Sequence, residues 1–157
     1  MEIWPGSCQV HVLFSAKKLI ELKAEHPDAL VIAHPECEEK VLALADEIGS
    51  TSFLLNKVKS HPGKKFIVAT EVGIFHEMKK QNPGAELIQA PAQGNCACNE
   101  CPFMKMNTLE KIRDALKSLD PEVHVSEDLI ERARRPLDRM MKLGRGEEVQ
   151  WPERFVW

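Results

Sequence analysis

The sequence lacks the features of membrane, secreted and nucleic-acid-binding proteins. No uncharged run approaches the roughly 18 apolar residues of a membrane helix. The first residues, MEIWPGSC, have neither the basic start nor the apolar core of a signal peptide. A formal net charge of -3 gives no basic surface for phosphate contacts. We therefore expect a cytoplasmic protein that binds neither membranes nor nucleic acids.

Cysteine is scarce and odd in number, with five residues in a chain of 157. In a reducing compartment, such a set favours metal binding or catalysis over structural disulfides. Hydrophobic residues make up 43% and charged residues 29% of the chain. This composition is sufficient for one domain, or for two small ones, with a real core.

Short apolar runs alternate with amphipathic stretches, which is typical of α/β units around a parallel sheet. Strands are predicted at residues 29–34, 65–70 and 85–91. An apolar stripe from Val41 to Ile48 predicts a helix that ends at Gly49. Ser50 and Thr51 then provide hydroxyl caps for a second short helix. Another helix follows the second strand and ends before the Pro-Gly pair at residues 83–84.

Two further helices are predicted towards the C-terminus. Asn107 or Thr108 can cap the first helix, and the apolar spacing predicts that it has a buried face. That face consists of Leu109, Ile112, Leu116 and Leu119. The last helix carries Leu129, Ile130, Ala133, Leu137, Met140 and Met141. We expect Pro136 to kink the last helix or to lie near one of its ends.

Polar groups follow each of the three predicted strands. The segments HPE at 34–36 and TEVG at 70–73 follow the first two strands, and a cysteine-rich loop follows the third. Ligands of parallel α/β sheets bind outside the carboxyl ends of the strands. These three features therefore predict one shared site.

The cysteine loop, with Cys96, Cys98 and Cys101, has several interpretations. Together with Cys8 it supplies four thiols for zinc without catalysis, although it lacks the usual two-pair spacing. Cys98 and Cys101 have the spacing of a redox pair but follow a third strand rather than a first. The Cys101-Pro102 step is common in turns that hold iron-sulfur clusters. Incidental packing is the remaining alternative.

His34 and Glu36 flank a proline that keeps the backbone extended, so that an imidazole and a carboxylate can face one small substrate. Alternatively, Glu36 only caps the next helix and His34 is a satisfied polar residue at the end of a strand. The hydroxyls of Ser50 and Thr51 similarly indicate either an anion site or an ordinary helix cap.

Five segments, taken together and in order, resemble the quinolinate synthase family: WPGSCQVH, AHPEC, GSTS, VATEVGIFHEMKKQNPG and CNECPFMKMNTLEKI. The resemblance extends from about Trp4 to Gly144. It implies three similar α/β domains with short parallel sheets in three layers, arranged with pseudo-threefold symmetry. Residues 1–25 would then be a returning segment of the second domain, 26–145 the third domain and 146–157 a tail.

The resemblance also implies a 4Fe-4S cluster bound by one cysteine from each domain. Cys8 resembles the ligand from the second domain and Cys101 the ligand from the third. His34 and Glu36 match the family's substrate-binding and acid/base motif, and Thr51, beside Ser50, matches a substrate-binding hydroxyl. Cys96 and Cys98 would be neighbours of the cluster. A redox-sensitive disulfide between Cys98 and Cys101 is a further hypothesis.

The family condenses iminoaspartate with dihydroxyacetone phosphate to give quinolinate. L-aspartate oxidase or aspartate dehydrogenase would supply the iminoaspartate. Compared with the family, this chain lacks the first domain, part of the second, the third cysteine ligand and any tyrosine that could match the catalytic one. Cys37 does not lie where the family has a ligand. We therefore expect a C-terminal piece of a quinolinate synthase that is inactive without the N-terminal half.

Overall fold

The computed structural model describes residues 6–94 and 99–151, so Cys96 and Cys98 lie outside the described residues. Backbone contacts divide the chain into two units, Met1–Asn107 and Thr108–Trp157. The predicted strands and the predicted functional residues belong to the first unit, whereas the two C-terminal helices form the second.

A four-stranded, all-parallel sheet forms the centre of the first unit. Its strands are β1 (Leu30–Ala33), β2 (Glu47–Ile48), β3 (Lys65–Ala69) and β4 (Glu86–Gln89). They lie in the order β2-β1-β3-β4. The helices are α1 (Ala16–Glu25), α2 (Glu39–Leu42), α3 (Thr51–Lys59), α4 (Ile74–Gln81) and α5 (Pro102–Lys105). A 3-10 helix, His11–Leu13, precedes α1. The three long strands confirm the predicted strands, and the predicted α/β class is confirmed.

Helices cover both faces of the sheet, so this unit has three layers. Alternate strand residues point to opposite faces. On one face, Val31 and Ile67 belong to the same buried cluster as residues of α1 and α2. On the other face, Ile32 and Phe66 belong to a second cluster with residues of α3 and α4. Strands buried on both faces explain why the sequence shows continuous apolar runs.

Side-chain caps start two of these helices, and the sequence predicts the one at Ser50 but not the one at Ser15. The Ser15 hydroxyl accepts a hydrogen bond from the Lys18 N–H at 3.3 Å and starts α1. The Ser50 hydroxyl does the same for α3 by accepting from the Phe53 N–H at 3.3 Å. A Cβ atom at Gly49 would overlap the Phe53 side chain, so the turn into α3 favours a glycine.

The predicted helix from Val41 to Ile48 is wrong beyond Leu42. The helix ends there, and Glu47 and Ile48 form β2, which pairs with Ile32 and Ala33 of β1. The apolar residues Leu44 and Ala45 pack on the core from a turn instead of a helix. Their helix-like spacing is misleading because a compact turn can bury the same side chains.

The second unit contains α6 (Leu109–Ser118) and α7 (Glu127–Gly144). Thr108 caps α6 through the Lys111 N–H, as predicted. The predicted buried face of α6 is wrong for this chain, since all four apolar residues are exposed, from 49% for Ile112 to 81% for Leu109. Pro136 lies inside α7 rather than near an end. None of the helices among the described residues is both long and apolar enough to cross a lipid bilayer.

Replacing Ile67 with alanine should destabilise the first unit much more than the same change at Ile20. Ile67 is fully buried in the central strand, whereas Ile20 on α1 is 56% exposed. A buried Ile→Ala change leaves a cavity and costs about 2–5 kcal/mol, and an exposed one changes stability by at most about 0.5 kcal/mol. Urea unfolding followed by circular dichroism measures both variants. Equal losses would contradict the assigned core.

Candidate functional site

A cavity of about 460 Å³ lies at the carboxyl edge of the sheet in the first unit. It is lined by Cys8, Val10, His11, Thr51, Thr70, Glu71, Gly73, Ile74, Cys101 and Met104. The segments that follow β3 and β4 therefore meet the N-terminal segment and the start of α3 here. Of the three features expected to share a site, the TEVG segment and Cys101 line this cavity, whereas His34 and Glu36 are not among its lining residues.

His11 is the central polar side chain of this region, and the sequence analysis did not identify it. Its Nδ1 lies 3.1 Å from a carboxylate oxygen of Glu36, and its Nε2 lies 3.1 Å from the hydroxyl of Thr70. Both His11 and Thr70 are buried. Burial, followed by the neighbouring His34, lowers the pKa of His11, although Glu36 opposes this shift.

The predicted pair, His34 and Glu36, surrounds the His11 ring. The rings of His34 and His11 stack with centroids 4.4 Å apart and planes 12° apart. Glu36 lines a neighbouring cavity of about 420 Å³ together with Gly6, Ser7 and Cys8. The interpretation that Glu36 caps the next helix is wrong, because Glu38 precedes α2 and the Glu36 carboxylate contacts His11.

Ser50 and Thr51 occupy different positions at the N-terminus of α3. Thr51 lines the large cavity. The Ser50 hydroxyl instead accepts the hydrogen bond from the Phe53 N–H that caps the helix. Thr51 is therefore the hydroxyl that can reach a ligand in this cavity, while Ser50 fixes the start of the helix.

Glu71 attaches the backbone of Cys101 to the end of β3. One carboxylate oxygen of Glu71 accepts from the Gly73 N–H at 2.7 Å, and the other accepts from the Cys101 N–H at 3.4 Å. The Val72 N–H also donates to the Asn99 carbonyl at 3.3 Å. These bonds hold Cys101 at the cavity although the residues just before Asn99 lie outside the described part of the chain.

The segment that carries Cys8 is attached to the chain that follows β4. The Ser15 N–H donates to the Pro91 carbonyl at 2.9 Å, and the Gln93 N–H donates to the Leu13 carbonyl at 2.7 Å. The Lys18 ammonium group donates to the Gly94 carbonyl at 2.7 Å. Cys8 and the entry to the cysteine loop are thereby held on the same side of the sheet.

Cys37 is not part of the cavity. Its thiol is buried and donates to the Ala69 carbonyl at a sulfur-oxygen distance of 3.4 Å. Burial raises the pKa of Cys37 to about 11. A thiol in this environment stays protonated and cannot readily become a metal ligand.

Cys8 and Cys101 have the donor chemistry that an iron-sulfur cluster requires. Both are free cysteines that are half-buried at one cavity, and clusters are held by thiolates. Ligand atoms of Cys8, His11 and Glu36 also lie within 4.8 Å of one another. The described residues therefore fit two thiolate positions of a cluster, with nitrogen and oxygen donors beside Cys8.

Three residues of this region, His11, Thr70 and Glu71, were not assigned a role from sequence. The signal for His11 is its position three residues after Cys8, a Cys-x-x-His spacing that a 3-10 turn can bring to one side. Thr70 and Glu71 belong to the predicted TEVG segment at the end of a strand. Their partners are distant in sequence, so the pattern gives their location but not their contacts.

The fold and the site define a parallel α/β protein with thiol, imidazole and carboxylate groups at the carboxyl edge of its sheet. The family model described as quinolinate synthetase A protein matches residues 1–142, and the chain belongs to this family.

Curated relatives named quinolinate synthase agree with this assignment. The chain is 52% identical to one from Trichormus variabilis over 141 residues, which is 90% of this chain and 44% of the relative. It is 53% identical to one from Microcystis aeruginosa over 141 residues, with the same coverage. It is 47% identical to one from Prochlorococcus marinus over 149 residues, or 95% of this chain and 45% of the relative. The chain thus spans less than half the length of these relatives.

Cys37 should react with iodoacetamide at pH 8 at least tenfold more slowly than Cys8 and Cys101. With its pKa raised to about 11, about one Cys37 thiol in a thousand is ionised at pH 8. Its reaction should accelerate as the pH rises towards 11. Peptide mass spectrometry after timed quenching measures each site separately. Equal rates at Cys37 and Cys101 would contradict the buried, protonated thiol.

Replacing Glu71 with alanine should loosen the backbone at Cys101. We expect amide hydrogen exchange at Gly73 and Cys101 to accelerate at least tenfold, because both N–H groups lose their carboxylate acceptor. Glu77→Ala is the matched control, since the Glu77 carboxylate contacts the side chains of Gln81 and Lys80. Unchanged exchange at Cys101 in Glu71→Ala would show that Glu71 does not hold this residue.

Proposed function

We propose that this chain is the part of a quinolinate synthase that supplies two thiolates of a 4Fe-4S cluster together with an acid/base pair. The observation that carries the proposal is the convergence of Cys8 and Cys101 on one cavity that Thr51 also lines. The two cysteines come from opposite ends of the first unit, and Glu36 lies beside Cys8. The names of the curated relatives support the same reaction.

The proposed reaction condenses iminoaspartate with dihydroxyacetone phosphate to quinolinate, with loss of phosphate and two waters. Proton transfers are required at the carbons and oxygens that lose water. The Glu36 carboxylate, which is 57% exposed, is available to move these protons. His34 would position the substrate beside Glu36. The N-terminus of α3, with Thr51 at its first position, would hold an anionic group, and Ser50 would keep this helix end in place.

Cys8 and Cys101 would hold the cluster, and a third thiolate would come from outside this chain. When bound, a cluster with three thiolates supplies an iron with an open position that acts as a Lewis acid. His11 and Thr51 line the cavity that Cys8 and Cys101 share, and Glu36 lies beside Cys8, so these side chains would be available to a substrate there. A disulfide between Cys98 and Cys101 would remove one ligand and is proposed as a redox-sensitive state.

The remaining half of the protein would complete the site. The curated relatives are more than twice as long as the matched region. The exposed apolar residues of α6 and α7 are a surface that additional protein can cover. We propose that the chain has little activity alone and acts in the cytoplasm together with an N-terminal half. Its iminoaspartate would come from L-aspartate oxidase or aspartate dehydrogenase.

A second candidate function is zinc binding without catalysis. The specific observation in its favour is the mixed donor set of Cys8, His11 and Glu36, whose ligand atoms lie within 4.8 Å of one another. Sulfur, nitrogen and oxygen are all accepted zinc ligands. A colourless protein with stoichiometric zinc would favour this function.

Anaerobic reconstitution with iron and sulfide tests the two candidates. The chain is treated alone and mixed with the N-terminal half of a curated relative, and iron content, absorbance and quinolinate are measured. We expect that the mixture, and not this chain alone, gains brown iron-sulfur absorbance and makes quinolinate. Cys8→Ser and Cys101→Ser should abolish the absorbance, whereas Cys37→Ser should retain it.

Two outcomes of this experiment would contradict the proposal. Loss of the cluster in Cys37→Ser but not in Cys101→Ser would overturn the ligand assignment. If no sample takes up iron while the isolated chain binds one zinc per chain, the proposed synthase role is wrong for this chain. The zinc function would then replace it.

A further inference from the structure

We propose that Thr70 is a positioning residue: its hydroxyl donates to His11 Nε2, supports the Nδ1–H tautomer that the Glu36 carboxylate selects, and so keeps His11 where it orients Glu36 beside Cys8. The tautomer and the orientation follow from the geometry of the chain. Only the consequence for catalysis rests on the proposed function.

Three side chains from distant parts of the sequence form one hydrogen-bonded series. Glu36, in the segment after β1, contacts His11 Nδ1 at 3.1 Å. The other ring nitrogen, Nε2, contacts the Thr70 hydroxyl at 3.1 Å, directly after β3. His11 is 7% exposed and Thr70 is 4% exposed, so water does not readily replace the Thr70 hydroxyl. The Nε2 atom therefore depends on Thr70, whereas Glu36 is half-exposed at the other end of the ring.

The chemistry of the two partners determines which nitrogen carries the proton. An ionised carboxylate can only accept a hydrogen bond, so His11 must donate to Glu36 from Nδ1. A neutral imidazole has one N–H group, which leaves Nε2 as an acceptor. The Thr70 hydroxyl can donate or accept, and here it must donate to Nε2. Burial, which lowers the pKa of His11, favours this neutral ring.

The stacked neighbour restricts the ring further. His34 lies parallel to His11 at 4.4 Å, so the plane of the His11 ring is held against its face. A half-turn of the ring about its Cβ–Cγ bond would restore the same plane but place carbon atoms where Nδ1 and Nε2 now meet their partners. The half-turn would therefore break both hydrogen bonds and leave the buried Thr70 hydroxyl without its acceptor, which is unfavourable. Thr70 is the partner that distinguishes the two orientations at the buried end of the ring.

His34 adopts the opposite tautomer. Its Nδ1 accepts a hydrogen bond from the Glu36 N–H at 3.3 Å, so a neutral His34 carries its proton on Nε2. The Glu36 carboxylate thus accepts a hydrogen bond from His11, while the Glu36 backbone N–H donates one to His34. These two contacts fix the carboxylate and the backbone of Glu36 separately. Thr70 acts on the carboxylate contact, through its hydrogen bond to His11.

The direct test is the tautomer of His11 in the isolated chain, measured by two-dimensional nitrogen-proton NMR of the imidazole rings. The His11→Asn variant assigns the signals. We expect the Nδ1–H tautomer for His11 in the wild-type chain and in Thr70→Ser, which keeps the hydroxyl. Thr70→Val, which keeps the shape but removes the donor, should give a mixture of tautomers. An Nε2–H tautomer in the wild-type chain would overturn the proposal without any variant.

The functional test uses the reconstituted mixture with the same two variants. Thr70→Val should lower kcat by about 10- to 100-fold, as is typical when a hydrogen-bond partner that orients a metal-ligating histidine is lost, while KM and iron content stay within about twofold. Thr70→Ser should retain wild-type kcat. A purely structural role for Thr70 would lower the unfolding midpoint and leave both the tautomer and the kcat of the folded enzyme unchanged.

The two readouts separate failure of this inference from failure of the proposed function. If no sample makes quinolinate, the proposed function fails, and the NMR result still decides the tautomer. If the wild-type mixture is active and Thr70→Val keeps both the wild-type tautomer and wild-type kcat, the positioning role of Thr70 is wrong.

Discussion

The parallel pairing of β3 between β1 and β4 is the constraint on which the site depends. This strand is hydrogen-bonded on both sides and buried on both faces, so the position of its carboxyl end is fixed. Two successive polar residues, Thr70 and Glu71, leave the sheet at this end. Successive side chains of an extended segment point in opposite directions. Thr70 reaches His11 and Glu71 reaches the backbone of Cys101, so one strand end aligns both halves of the site.

Burial of polar groups is tolerated here because the groups satisfy one another. His11 and Thr70 would each carry a desolvation cost if left without a partner. Their mutual hydrogen bond, together with the bond from His11 to Glu36, removes most of that cost. The same arrangement restricts each group to one orientation, because any rotation leaves a buried polar atom unpaired. A network of this kind therefore contributes more to precise geometry than to net stability.

Local patterns in the sequence are sufficient to predict the strands, the cap at Ser50 and the edge of the sheet where polar groups collect, since each depends on neighbouring residues. The two-residue strand β2 is missed because its spacing also fits a helix. His11 is missed because its hydroxyl partner, Thr70, is 59 positions away. The buried face predicted for α6 is exposed because an apolar stripe indicates a face suited to burial without specifying what packs on it.

The order of the cavity residues along the chain has a consequence for biosynthesis. The lining begins at Cys8 and ends at Met104, and the strand that aligns it lies between them. A ribosome must therefore release nearly the whole first unit before the two thiols can face one another. Cys8 emerges before Cys101 and has to remain reduced while about ninety further residues are synthesised. Loading of any group that needs both thiols consequently waits for the second cysteine, and protection of the first becomes part of the maturation of this fold.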